Sequence, residues 1–329
     1  MFKKYKRKIL ISVAFGGIVF LLISIYADFS KLTEAFKNFN WWYFPLILLL
    51  SLANYFVRFF KWQIYLKSLN IKLAVKRSLI IFFASFVMSV TPGKMGEIIK
   101  SYLLKEEIGT PVSVSLPIVL AERLTDFISI VLLSIIGAYV FNYGHNIILT
   151  VGIFFILLTI LISFRKPSIG IINFSRKVPL IKKHTEKLLA SYESINRLVK
   201  PKLMIISVFL SGVAWFSECL GLYIVLKLFL INSDIQVNIL IATFIYGFST
   251  LIGALAMLPG GLGATEAMIT GLLISLKIPK NISAASTIII RVATLWFAVL
   301  LGIVAVLIFE KTSSIKSIEN LDEKLSNIT

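Results

Sequence analysis

Eight apolar stretches follow one another along the chain, at residues 9–27, 44–66, 78–104, 113–140, 147–164, 203–230, 238–276 and 283–309. A helix crossing the hydrocarbon core of a bilayer needs roughly 20 apolar residues, and in lipid a helix satisfies its own backbone hydrogen bonds. The sequence therefore predicts an all-α, polytopic membrane protein. Only 15% of its 329 residues are charged, against about a quarter in an ordinary soluble domain. The formal charge of +18 does not indicate nucleic acid as a partner, because Lys and Arg cluster in the connections between apolar runs, as positive-inside topology signals do. The one cysteine, Cys219, excludes an internal disulfide and a cysteine metal cluster. His145 and His184 fall in expected loops, far from ligand spacing, so no metal and no cofactor are expected. The N-terminal MFKKYKRK and the run after it resemble a signal peptide. That run is longer than a usual signal core and lacks a small-x-small cleavage site. It is expected to remain as the first spanning helix, its basic flank in the cytoplasm.

Two apolar segments are interrupted. Segment 78–104 contains Thr91-Pro92-Gly93 and segment 238–276 contains Pro259-Gly260-Gly261. Proline removes a ladder N–H and glycine weakens the helix, so both should break there. The breaks are copies of one pattern, PGxxG followed closely by glutamate: Pro92, Gly93, Gly96 and Glu97 in the first, and Pro259, Gly260, Gly261, Gly263 and Glu266 in the second. An arginine within an apolar run follows each, Arg123 at 31 positions from Pro92 and Arg291 at 32 from Pro259.

Charge then decides how the breaks sit. If each broken segment enters and leaves on one side, loop 67–77 and loop 165–202, with ten Lys or Arg, face the cytoplasm. If each crosses fully, loop 165–202 lands outside, against the positive-inside rule. The expectation is thus about six spanning helices plus two re-entrant broken helices in one membrane domain, residues 1–310, of the cell membrane. Helix 9–27 comes first. Units 44–140 and 203–309 are inverted-topology repeats joined by 147–164, a plan that places substrate sites at interrupted helices near the midplane. Loop 165–202 and a polar tail, 311–329, are cytoplasmic, as are both termini. Within that loop Leu188, Tyr192, Ile195 and Val199 share a helical stripe. This fits either an interfacial amphipathic helix on anionic lipid or a solvated connector.

Charges inside apolar segments are costly and mark function: Lys94, Glu97, Lys100, Glu122, Arg123, Asp126, Glu218, Glu266 and Arg291. Arg58 and Lys61, near a cytoplasmic helix end, either belong to this set or snorkel to the interface. Half-helices starting after Pro92 and Pro259 would aim bare N–H groups inward, which favours anions, and Arg123 and Arg291 would add planar guanidinium forks for a phosphate. The alternative is internal pairing, Glu97 or Glu122 with Arg123 and Glu266 with Arg291; both hold if substrate competes for the arginine. Glu122 and Asp126, four apart, share a helix face, which would permit proton coupling, and Glu218 is a weaker candidate of the same kind. No GxxxxGK[ST], HExxH or GxSxG motif is present.

PGGLGATE at 259–266, TPGKMGE at 91–97, ERLTD at 122–126 and RFFKW at 58–62 resemble the lysylphosphatidylglycerol synthase transmembrane region family, the flippase-like domain also found in the multiple peptide resistance factor. The likeness runs from about residue 5 to 310. It implies a membrane domain that binds or moves phospholipid or polyprenyl-linked head groups, with membrane lipids as partners. In the two-domain relatives a cytosolic aminoacyltransferase follows. The 329 residues hold no such domain, so the chain is not expected to be an enzyme by itself. A second copy or a separate transferase are the protein partners this leaves open. Two other readings stand beside the flippase-like transporter. One is a membrane partner or enzyme of lipid-linked glycan or aminoacyl-phospholipid synthesis. The other is a small-ion or proton-coupled solute transporter, which predicts a closed aqueous cavity instead of a groove open to lipid.

Overall fold

The computed structural model describes residues 2–91, 95–141, 143–165, 168–170, 185–231 and 233–326. Helix α1, Phe2–Tyr26, is followed by Asp28, whose carboxylate accepts the Ser30 N–H and caps α2, Phe29–Asn38. The chain turns 98° there. Helix α3, Phe44–Ser68, starts with proline in its first turn, where the missing N–H costs nothing. Helix α4, Val75–Ala84, tightens into a 3₁₀ turn, Ser85–Met88, before the first break; a second turn, Met95–Ile98, leads into α5, Ile99–Ile108. Then come α6 (Val112–Phe141), α7 (His145–Ser163), α8 (Thr185–Leu198), α9 (Pro201–Phe229), α10 (Ile239–Leu255) and α11 (Ala264–Ser275). Helix α12, Lys280–Arg291, passes through a π turn, Val292–Trp296, into α13, Phe297–Ser326.

Four stretches are long and apolar enough to cross a membrane: Trp41–Ser68, His145–Ser163, Pro201–Phe229 and Lys280–Thr312, with a fifth if α1 and α2 count as one bent span. Helix α6 is as long as these, at 30 residues, and carries Glu122, Arg123 and Asp126 in its first half. The protein is a polytopic, all-α membrane protein.

Both broken elements double back. Arg77, at the start of α4, pairs with Glu107 near the end of α5 and donates to Thr312 Oγ1 at 2.5 Å. The first element thus returns to the end of the bundle where it began, and the span ending at Thr312 reaches that end too. Helix α6 starts there and finishes at the opposite end. There a Cβ on Gly137 would lie 2.9 Å from the Leu240 carbonyl, at the start of α10. Five residues after α11 stops, the Lys280 ammonium sits 5.1 Å from the Tyr26 ring centroid, where α1 finishes. Packing is reciprocal: α3 lies on α9, α6 lies on α10, and α13 lies on α4 and its 3₁₀ turn.

Two expectations need correction. Segment 28–43 is not a loop: α2 and a short 3₁₀ turn, Trp41–Tyr43, occupy it. Its apolar residues are too few for a span, which is why the apolar-run criterion passed over it. The stripe on loop 165–202 does form a helix, α8, but Tyr192, Ile195 and Val199 are buried with Trp62, Phe82 and Ile118 in the protein's own core, while Leu188 stays 39% exposed. The stripe is therefore covered by neighbouring helices, not by lipid or water. The polar tail is helical as far as Ser326.

Candidate functional site

Arg58 and Lys61 stand three positions apart on α3 and so share a face. Neither snorkels: Arg58 is 7% and Lys61 0% exposed. A buried ammonium must fill its donors, and Lys61 Nζ does so with Ser211 Oγ at 2.5 Å, Asp126 Oδ1 at 2.7 Å and Thr125 Oγ1 at 3.2 Å. Arg58 lies 3.6 Å from Asp126 Oδ2 and 3.8 Å from Glu97 Oε1.

Arg123 takes Glu97, not Glu122, at 2.6 Å. Adjacent helical residues point about 100° apart, so Glu122 faces elsewhere and meets Lys100 Nζ at 2.5 Å. Lys100 also lies over the Trp62 and Phe82 rings at 5.0 and 5.2 Å, a desolvated cation–π arrangement. Glu122 and Asp126 share their face as predicted, but each has its own cation, so they do not form an adjacent carboxylate pair left to share a proton.

In the second half Arg291 Nε donates to Glu266 Oε1 at 2.5 Å and its Nη2 donates to the Gly260 carbonyl at 2.9 Å. Glu266 Oε2 accepts the Gly263 N–H at 2.7 Å, so the acid at the third position of α11 caps its own helix. Gly260, Gly261 and Gly263 have φ of 61°, 69° and 87°, the left-handed region open to glycine. Several of the amides expected to be bare at this half-helix are bonded. The N–H groups of Gly261, Leu262 and Thr265 bond to the carbonyls of Leu258, Pro259 and Gly261 at 2.9–3.0 Å, and Glu266 holds that of Gly263. Pro92, Gly93 and Lys94 lie outside the described residues; Gly96 is in the turn Met95–Ile98.

These networks meet at one cavity. Arg58, Arg123, Arg291, Glu97, Asp126 and Glu218 line it, with Gly260 and Gly261. Lys61, Lys100, Glu122 and Glu266 stand behind that wall, and Pro259 and Gly263 are not on it. Met257, 70% exposed, and Leu258 form part of the wall, so the cavity opens beside the α10–α11 turn. Two tyrosines on the wall were not read from the sequence. Tyr246 donates to Glu218 Oε2 at 2.6 Å, and Tyr55 donates to the Thr294 carbonyl, in the π turn, at 2.5 Å. A phenol in mid-run is a signal of the same kind as a charge, since a buried O–H needs a partner. Among the described residues no group of three His, Cys, Asp or Glu could hold a metal.

Fold and site together define a multi-pass helical membrane protein whose apolar bundle encloses an ion-paired polar cavity. Residues 9–302 match the lysylphosphatidylglycerol synthase TM region, and the chain belongs to that family. It is similar to a UPF0104 membrane protein of Methanocaldococcus jannaschii, 26% identical over 231 residues that cover 69% of this chain and 95% of the relative. A UPF0104 membrane protein of Methanothermobacter thermautotrophicus is 23% identical over 338 residues, covering 94% and 95%. One of Pyrococcus horikoshii is 24% identical over 337 residues, covering 92% and 97%.

Proposed function

We propose that this protein is a lipid flippase-like transporter of the cell membrane. It binds the anionic head group of a phospholipid or polyprenyl-linked lipid in the cavity and carries it across, with both termini cytoplasmic. The observation that carries the reading is the meeting of three guanidinium groups, Arg58 from α3, Arg123 from α6 and Arg291 from α12, on one cavity wall. A phosphate offers them bidentate acceptors and competes with the carboxylates that hold them. Arg58, beyond hydrogen-bond distance from its carboxylates, is the readiest to turn.

The broken elements support the transport part. They double back from opposite ends, and the packing of α6 on α10 answers that of α13 on α4. Inverted-topology repeats would give this arrangement, and such repeats rock around a central site to expose it alternately. The basic connections at one end favour the cytoplasm on that side.

The test is translocation of fluorescent anionic phospholipid, and of a polyprenyl phosphate, by the full chain in vesicles. Arg58→Ala and Arg123→Ala should each slow movement about 10- to 100-fold, since a hydrogen bond to a charged group contributes roughly 1.5–3 kcal/mol. A wild-type protein that moves neither lipid would end the proposal, as would variants indistinguishable from it.

A further inference from the structure

The stretch from Phe29 to Tyr43 is a built element with an exposed aromatic surface. Leu32 and Ala35 of α2 are buried against Ala284 and Ala285 of α12, which fixes α2 nearly perpendicular to α1. Asn40 Oδ1 accepts the Trp42 N–H at 3.2 Å and orders the following turn. Trp41 is held in place: its Nε1 donates to the Phe36 carbonyl at 2.9 Å, and its ring meets Phe39 and Phe44 edge-on at 5.1 and 5.5 Å. With Trp41 fixed, Trp42 points away and is 93% exposed, next to Tyr43 at 45%, and Phe29 at the other end of α2 is 69% exposed.

Such a cluster on a rigid support does not suit water. Trp and Tyr, with apolar bodies and polar tips, concentrate at the head-group level of a bilayer. The element sits where that level must fall, between the end of the apolar run of α1 and the start of α3. It is at the end of the bundle away from Arg77 and Glu107. Its charges, Lys31, Glu34 and Lys37, cancel with that of the capping Asp28, so charge attraction to anionic lipid is not what would hold it.

We infer that residues 29–43 form a shelf lying flat in the head-group layer of the leaflet opposite the basic connections, with Trp42 as its anchor. The partner is the lipid interface itself, zwitterionic or anionic. The inference does not depend on lipid transport.

The full chain is reconstituted in phosphatidylcholine vesicles brominated either high on the acyl chain or near its methyl end. The emission lost in Trp42→Phe should be quenched more by the high bromines, and equally so when phosphatidylglycerol is added. A spin label on Trp42→Cys gives the second measurement, and it reports on that site alone because the one native cysteine, Cys219, is buried. Its depth should match the head groups. Trp42 is exposed, so neither change should disturb folding, which circular dichroism checks. Stronger quenching by the deep bromines would overturn the inference. So would a label fully open to a water-soluble nickel reagent, which would assign the aromatic face to a water-borne protein partner.

Discussion

The glutamates that follow the two Pro-Gly breaks keep different company among the described residues. At the second, Glu266 acts locally: one oxygen caps its own helix at Gly263 and the other holds Arg291, which also binds the Gly260 carbonyl. Loop, helix start and arginine form a closed joint. At the first, Glu97 is shared. It bonds Arg123 at 2.6 Å and lies 3.8 Å from Arg58 and 4.0 Å from Lys100, bringing together groups from α3, α5 and α6. Four cations surround three carboxylates there: Arg58, Lys61, Lys100 and Arg123 against Glu97, Glu122 and Asp126. Among the described residues, Glu266 thus closes a joint in one half and Glu97 joins a wider ion-pair network in the other. An entering anion would find its opening in the first.

The sharpest way to break this comparison is to remove each glutamate. Glu266→Ala uncaps α11 and strands a buried guanidinium, which should cost about 3–5 kcal/mol, read as reversible unfolding in mixed micelles. Glu97→Ala should cost less, because Arg123 keeps Asp126 at 3.6 Å and Lys100 keeps Glu122. An equal or larger loss at Glu97 would erase the distinction.

Packing glycines offer a smaller probe. A Cβ on Gly302 would lie 2.2 Å from the Val87 backbone nitrogen, just ahead of the first break, whereas on Gly253 it would meet the Thr265 hydroxyl at 1.9 Å. Backbone cannot step aside. Gly302→Ala should destabilise by roughly 1–3 kcal/mol, measured in the same unfolding assay. Gly253→Ala should be largely rescued by Thr265→Ala, and failure of that rescue would place the second break under backbone constraint as well. Arg77→Ala opens the clip between α4 and α5 at the rim of the bundle and leaves Glu107, 7% exposed, without that partner. Losing a hydrogen bond to a charged group should cost roughly 1.5–3 kcal/mol. Faster proteolysis near residues 105–111 would be its accompanying sign.

The spans were legible because apolar length is a direct consequence of bilayer thickness, and the breaks because proline and glycine act locally. The charged residues to examine were legible too, since each stands out against an apolar run. Their partners were not, with one exception. Glu122 could have been set aside for Arg123 from helix geometry alone, whereas Lys61 reaching Asp126 and Ser211 depends on how α3, α6 and α9 face each other. The capping of α11 by Glu266 was readable as a capping-box spacing from Gly263, but the attraction of a bare helix end for anions obscured it. Segment 28–43 was missed for a physical reason. A helix lying across the bundle needs a narrow buried face, here Leu32 and Ala35, and leaves no long apolar run to notice.

The balance of charge around the cavity has a consequence for leakage. Among the described residues, Arg58, Lys61, Lys100, Arg123 and Arg291 are matched in number by Glu97, Glu122, Asp126, Glu218 and Glu266. A chloride or free phosphate approaching such a site finds these cations already facing carboxylates, and gives up its hydration for contacts that are already made. A ligand with a long hydrocarbon tail is brought to the same depth by the tail's own preference for the membrane. The ion-paired interior would thus act as a filter, turning away ions that arrive alone while admitting the same charge when an oily chain delivers it.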